Sequence, residues 1–293
     1  MEILIKKDYG GIFPYLCITE LEPSNGLIHK KNQIMATILF EEIIFGPIHS
    51  RRLGTSLGVN LLPLHSKLCS FDCLYCECGL NARNKSGCLP KAEEVKQALE
   101  AKLIQLNAEG ILLDVITFAG NGEPTIHPEF ERIIDDTITL RNQYCPKAKV
   151  SVLSNATQLD NPKIFSALLK VENAILKLDS AFDETVQILD RPVSSSFSIK
   201  HLVEKMKTLK GKLIIQTLFT RGAYEGKVFD NTTEVEVTAW IELLREIAPE
   251  SVMIYAIDRE TAVAGLEKIS VKELKTIAKR LKDETGIDVS VAG

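Results

Sequence analysis

The stretch Val115-Ile116-Thr117-Phe118-Ala119-Gly120-Asn121-Gly122-Glu123-Pro124 reads as a buried strand that stops in a polar, glycine-bearing turn. β-Branched and aromatic residues suit an extended chain, and the glycines and proline end it. Helical patterns flank it at residues 91–109 and 129–141, with apolar residues three to four apart and charges between them. Working outward, the same unit recurs. Residues 57–62, 150–154, 174–179, 213–220 and 252–257 read as further strands, and 162–169, 199–209 and 233–247 as further helices. Strand alternating with helix is the pattern of a parallel α/β fold. Several strands end in polar tips: Ser154-Asn155, Lys177-Leu178-Asp179, Gln216 to Arg221, and Tyr255 to Arg259. Such carboxyl-terminal tips are where β/α barrels build their chemistry, because the following loops converge there. Six units are too few to close an eight-stranded barrel. The expected fold is therefore α/β: a partial (β/α)6 TIM-like barrel of parallel strands, with short N- and C-terminal additions. Residues 270–282 read as a last helix and 287–291 as a short strand. The first 34 residues hold Gly10-Gly11, Pro14, Pro23 and Gly26 without sustained periodicity. They are expected to be an N-terminal extension, or the product of a start called too early with Met35 the true one. The barrel domain is expected to occupy 35–293.

A chain of 293 residues, 45% hydrophobic and 25% charged, can bury one large core. Its 35 Lys and Arg against 39 Asp and Glu give a formal charge of −4, so nothing in the whole-molecule charge favours nucleic acid or an anionic membrane. The longest apolar runs, such as 111–118, fall well short of the ~20 residues of a membrane span. Lys6, Lys7 and Asp8 follow a very short apolar start, without the core of a signal peptide, so a cytoplasmic location is expected. Four of the seven cysteines crowd between Cys69 and Cys78. That crowding, without a secretion signal, argues for metal ligation over disulfides.

The crowded segment is Cys69-Ser70-Phe71-Asp72-Cys73-Leu74-Tyr75-Cys76, three residues between the first pair of cysteines and two between the next, in a loop directly after a predicted strand. Such a loop can wrap three thiolates around one face of a cubane, whereas ordinary iron–sulfur proteins supply four. Three ligands leave one iron open to a chelating cofactor. With Tyr75 before the last cysteine, this C-x3-C-x2-C loop resembles the radical S-adenosylmethionine (SAM) superfamily, over roughly Phe45 to the C-terminus. The closer resemblance is to a branch that includes relatives of the tRNA wyosine-base synthases, carried by Gly46 to Gly54, Ser56-Leu57-Gly58-Val59-Asn60, the cysteine loop and Tyr255 to Arg259.

The resemblance implies a [4Fe–4S] cluster on Cys69, Cys73 and Cys76. It implies SAM bound at its open iron, a flavodoxin- or ferredoxin-like reductant, and hydrogen abstraction by a 5′-deoxyadenosyl radical. It places the amino-acid end of SAM at Gly120, Asn121, Gly122 and Glu123, with Glu123 opposite the ammonium. Asn121 replaces the second glycine of the family's turn, so there only the backbone role carries over. Ser154 and Asn155 are expected to meet the carboxylate or ribose, and Tyr75, Asp179 and Gln216 are further cofactor candidates. Arg221, Tyr255, Asp258 and Arg259 are the candidates for substrate contact. The substrate is left open among an RNA base, a small molecule and a partner protein.

Other readings of the same residues stand beside these. Cys78 or Cys88 as a fourth ligand would close the site and make a non-catalytic zinc or electron-transfer protein. Cys17 and Cys145 read as structural or incidental. Asp179 and Gln216 equally suit polar satisfaction inside the barrel, and an ion pair in the Asp258–Arg259 neighbourhood is the plainer account of those two. Arg51 and Arg52 form a pair that can clamp a phosphate or carboxylate, or simply pair with carboxylates. Lys200, Lys205, Lys207, Lys210 and Lys212 are a basic run that suits RNA phosphates, and equally the solvated face of a helix whose apolar side is Leu202, Val203, Met206 and Leu209. His127 before Pro128 marks a loop-to-helix boundary.

Overall fold

The structure is a computed structural model, and it describes residues 38–50, 52–81 and 87–292. Eight strands form the main sheet: β1 (Ile44–Ser50), β2 (Gly54–Val59), β3 (Val115–Phe118), β4 (Lys149–Ser154), β5 (Asn173–Lys177), β6 (Ile214–Leu218), β9 (Ser251–Tyr255) and β11 (Asp288–Ala292). Their order across the sheet is β1-β2-β3-β4-β5-β6-β9-β11. Only the β1–β2 hairpin is antiparallel; every other neighbour is parallel, with Val115 opposite Lys149 and Ile214 opposite Ser251. The sheet curls into a half-barrel, as the alternation of strands and helices implies. A second, three-stranded antiparallel sheet of β7 (Thr220–Tyr224), β8 (Lys227–Asp230) and β10 (Leu266–Lys268) stands beside it.

All four β3 side chains are buried, as expected of a parallel strand covered on both faces. The helices α1 (Ala92–Ala108), α2 (Phe130–Tyr144), α3 (Pro162–Lys170), α4 (Asp183–Leu189), α5 (Ile199–Thr208), α6 (Glu234–Ile247) and α7 (Val271–Thr285) fill the connections. Each presents one stripe to the sheet, such as Val95, Leu99, Leu103 and Leu106 on α1, and Leu274, Ile277, Ala278 and Leu281 on α7. Each fully buried Leu, Ile or Val stabilises by roughly 1.5–3 kcal/mol. The stripes therefore outweigh the caps at Asn161, Ser198, Thr233 and Ser270, worth about 1 kcal/mol each. The caps decide where each helix starts.

Three details depart from the sequence expectation. The expected strand at 213–220 breaks in two: β6 ends at Leu218, and Thr220 begins β7 in the other sheet. Asn231 makes the break, its Nδ2 donating to Leu218 O and Asp179 O while its Oδ1 accepts from Thr220 N. The three-stranded side sheet had no counterpart in the expectation, whereas the short strand expected at 287–291 is present as the parallel edge strand β11. The short helix α4, with Val186 and Leu189 buried, had no sustained periodicity to announce it. The expected boundary at Met35, Cys17 and Arg51 lie outside the described residues.

Candidate active site

The chain leaves β2 at Asn60, whose Oδ1 accepts from Leu62 N and Asn121 N at 3.2 and 3.1 Å, and enters the cysteine loop. That loop is stitched to the strand ends on two sides. On one, Leu68 N donates to Asn121 O at 2.9 Å and Glu123 N to Leu68 O at 3.1 Å, a short parallel bridge onto the turn after β3. The approach is so close that a Cβ on Gly122, which sits at φ +137°, would lie 1.9 Å from Leu68 O. On the other side, Leu74 N donates to Leu189 O and Asp72 N to Asp190 O, both at 2.9 Å, at the end of α4. Beneath the loop, Phe71, Leu74, Leu189, Leu218 and Phe229 form a second, smaller core.

So held, Cys69, Cys73 and Cys76 line one hollow of about 230 Å³ at the carboxyl ends of β3 to β6 and β9, together with Gly120, Gly122, Glu123, Ser154, Asn155, Gln216 and Tyr255. All three are free thiols. Burial pushes the Cys69 thiol up to about 12 and Cys73 well above the ordinary range. Cys76 is brought down to about 6 by the hydrogen bond from Cys78 and, against burial, by the Lys67 ammonium. Lys67 is 5% exposed and donates to Gly79 O at 2.9 Å. Burial opposes its charge, but the sulfurs of Cys76, Cys73 and Cys69 hold it above the ordinary lysine value.

The turn after β3 does different work at each residue. Glu123 is buried and its carboxylate is held by four hydrogen bonds. Oε1 accepts from Thr125 N and Oγ1 and from Ser154 Oγ (2.7 Å), and Oε2 from Asn155 N (2.7 Å). Burial still outweighs those bonds and raises its pKa. Glu123 thus ties the tips of β3 and β4 together. The Asn121 side chain faces away from the hollow: it accepts from Phe40 N at 2.8 Å and donates to Phe40 O and Pro63 O at 2.9 and 2.8 Å. Asn155 Nδ2 reaches Ser70 Oγ at 2.8 Å and Cys69 Sγ at 3.6 Å.

At the floor of the hollow, the Tyr75 hydroxyl meets Asp179, Lys177 and, at 3.0 Å, Asp190. Lys177 Nζ lies 3.4 Å from Asp179 Oδ2. Burial alone would discharge this lysine, but Asp179 keeps it well above its ordinary range. Asp190, buried and beside Asp179, is pushed up to about 8. Tyr255 and Gln216 also line a second hollow of about 260 Å³ that opens beside the first, with Arg52, Asp258, Arg259 and Thr261.

Of the residues expected to meet substrate, Tyr255, Asp258 and Arg259 stand at that mouth, with Arg259 paired to Glu77 at 2.7 Å and Asp258 to Lys268 at 3.5 Å. Arg221 does not. It sits on β7, held by Glu273 at 2.6 Å and by Asp230 and Glu267 at 3.6 Å. Sequence reasoning passed over Lys67, Lys177 and Asp190. Lys67 had a signal in its position two residues before Cys69, and Lys177 in its place on a strand tip; Asp190 had none, since α4 alone brings it in.

The donor set fits a cubane. Three free thiols and a buried cation face one hollow, and neither candidate fourth cysteine joins them. Cys78 does not line it, its Sγ standing within hydrogen-bonding reach of both Cys76 and, at 3.3 Å, Gly120 O, and Cys88 is disulfide-bonded. Among the described residues no three acidic, histidine or cysteine side chains converge as ligands of a single ion. A cubane, each of whose corner irons takes one thiolate, asks for separated sulfurs.

Comparison with known proteins points the same way. The family model described as "Radical SAM superfamily" matches residues 64–222. A UPF0026 protein of Helicobacter pylori (strain J99) is 30% identical over 237 residues, covering 79% of this chain and 71% of that protein. A protein of Brachyspira hyodysenteriae named GTPase Obg is 24% identical over 276 residues, 93% of this chain but 38% of that protein. Among solved structures, a radical SAM methyltransferase from Sphaerobacter thermophilus superposes with a TM-score of 0.59 at 15% identity, over 81% of this chain and 65% of that one. TYW1 with a lysine-pyruvate adduct bound does so at 0.58 and 14%, over 80% and 75%. At such identities the structural likeness concerns the fold.

Proposed function

Since the chain belongs to the radical SAM superfamily, and with the Helicobacter pylori protein to the UPF0026 family, we propose that Cys69, Cys73 and Cys76 hold its [4Fe–4S] cluster and that the adjoining hollow seats SAM. The protein is an iron–sulfur enzyme. A cluster held by these three cysteines would supply the one-electron cleavage of the SAM sulfonium bond, to methionine and a radical able to take a hydrogen atom from the substrate. The observation that carries the reading is the convergence of three free thiols with Gly120, Gly122, Ser154 and Asn155 on one hollow at the strand ends.

The chain's own groups then have defined tasks. Gly120 and Gly122 let Asn60 and Leu68 close against the turn, whose backbone lines the hollow where the amino-acid end of SAM would lie. Glu123 fixes both tips through Ser154 and Asn155, and its Oε2, which accepts one hydrogen bond and lines the hollow, can also take the SAM ammonium. Tyr75, Asp179, Asp190 and Lys177 make a closed proton-sharing floor that keeps the cavity wall rigid and dry. Lys67 offsets the charge of the thiolates. An external one-electron donor, of the flavodoxin or ferredoxin kind, completes the turnover.

Anaerobic reconstitution with iron and sulfide, reduction, and addition of SAM test the reading. A reduced-cluster paramagnetic resonance signal that changes with SAM, with release of 5′-deoxyadenosine, is expected in the wild type and absent in Cys73→Ala. A signal indifferent to SAM, or zinc in place of iron, would refute it in favour of a closed four-ligand site.

A further inference from the structure

A cation that no carboxylate among the described residues neutralises reaches the second hollow from the amino-terminal side of the sheet, where it also lines a hollow of about 900 Å³. Arg52, in the turn between β1 and β2, carries its guanidinium 4.6 Å from the centroid of the Tyr255 ring at the end of β9. This contact reaches from the second strand of the sheet to the seventh. Arg52 Nη1 is shielded from solvent and has no hydrogen-bond partner, and among the described residues no carboxylate pairs with it. The neighbouring cations are committed: Arg259 to Glu77 at 2.7 Å and Lys177 to Asp179 at 3.4 Å. The Gln216 side chain, on the same hollow, also makes no hydrogen bond among the described residues.

Arg52 is half-buried, and a guanidinium nitrogen shielded from water without an anion carries a cost that is removed when a partner arrives. Its planar fork matches a carboxylate or phosphate, and stacking on an aromatic face fixes the plane in which it presents its donors. We propose that Arg52 anchors an anionic group of the substrate, a carboxylate or phosphate, over Tyr255 at the hollow of about 260 Å³, with Gln216 as a second donor. The proposal rests on the radical SAM reading, since that hollow opens directly onto the one lined by the cysteines and shares Tyr75, Cys76, Leu153, Gln216 and Tyr255 with it. Substrates with an anionic end placed there present their other end to the cysteine hollow.

The test is calorimetric titration of the anaerobically reconstituted full chain, SAM-loaded, with inorganic phosphate and, separately, acetate. Saturable binding of one of them is expected, and the one that binds names the anion. Arg52→Gln should weaken it about tenfold or more, the loss of a charged hydrogen bond, and Arg52→Lys, which keeps charge without the fork, by less. Without anion, Arg52→Gln should unfold at or above the wild-type temperature, since it removes an unpaired charge. Binding of neither anion, equal binding by Arg52→Gln, or a clear fall in its melting temperature would overturn the proposal. So would a tenfold loss of SAM affinity in Arg52→Gln, which would assign the guanidinium to SAM's own carboxylate. A wild-type cluster that ignores SAM fails the radical reading instead, and is scored by paramagnetic resonance before any anion is added.

Discussion

Gly122 is the residue on which the site's assembly turns. Its missing Cβ lets Leu68 approach, and its φ of +137° suits glycine alone. Gly122→Ala should unzip the cysteine loop from β3, at a cost of about 2 kcal/mol or more. Iron retained after reconstitution should fall severalfold; wild-type iron content would refute the account. His127 makes a second prediction. It is 2% exposed, its Nε2 bonds to Pro90 O at 2.8 Å, and its Nδ1 accepts from Glu129 N at 3.1 Å. Burial lowers its pKa, against the pull of the Pro90 carbonyl and Glu129, so folding favours the neutral ring. The stability this contributes is complete above the ordinary histidine pKa and is lost as pH falls through the lower folded value. Urea midpoints should therefore drop between about pH 7 and about pH 5, and less steeply in His127→Gln; an unchanged slope in that variant would refute the assignment. The sequence placed His127 at a helix boundary but gave no sign of this bond, because Pro90 is brought to it only by the packing of α1 on α2.

Element boundaries follow the capping chemistry. Ser270 and Glu273 form a reciprocal box at the start of α7, which leads into the edge strand β11. Ser270→Ala should cost about 1 kcal/mol in urea unfolding, and a neutral result would show that packing of Leu274 and Leu281 alone fixes the start. The helices were legible because their apolar stripes recur at three to four residues. On α5, Leu202, Val203 and Met206 are buried, while Lys205 pairs with Asp160 and Lys207 with Glu204 and Glu246. The division of 213–220 between two sheets was not legible. A largely apolar run looks the same whichever sheet it joins, and Asn231, which divides it, lies outside the run on the far side of the β7–β8 hairpin.

At the scale of the molecule, a cysteine loop pinned between β3 and α4 should gain stability when its thiolates are bridged. Reconstitution with iron and sulfide should raise the urea midpoint, and chelation or Cys73→Ala should remove the gain; an identical midpoint with and without the cluster would count against ligation by this loop. No helix among the described residues is long and apolar enough to cross a membrane. The sequence by itself determined the alternating α/β architecture and the spacing of Cys69, Cys73 and Cys76, because periodicity and residue spacing are local properties of the chain. Only the tertiary structure decided that Glu123 and Asn121 brace the site, that Arg221 belongs to the side sheet, and that Lys67, Lys177 and Arg52 enter the cavity. Those roles depend on which charges share a buried volume, and curling the sheet brings together groups that lie up to two hundred residues apart, as with Arg52 and Tyr255.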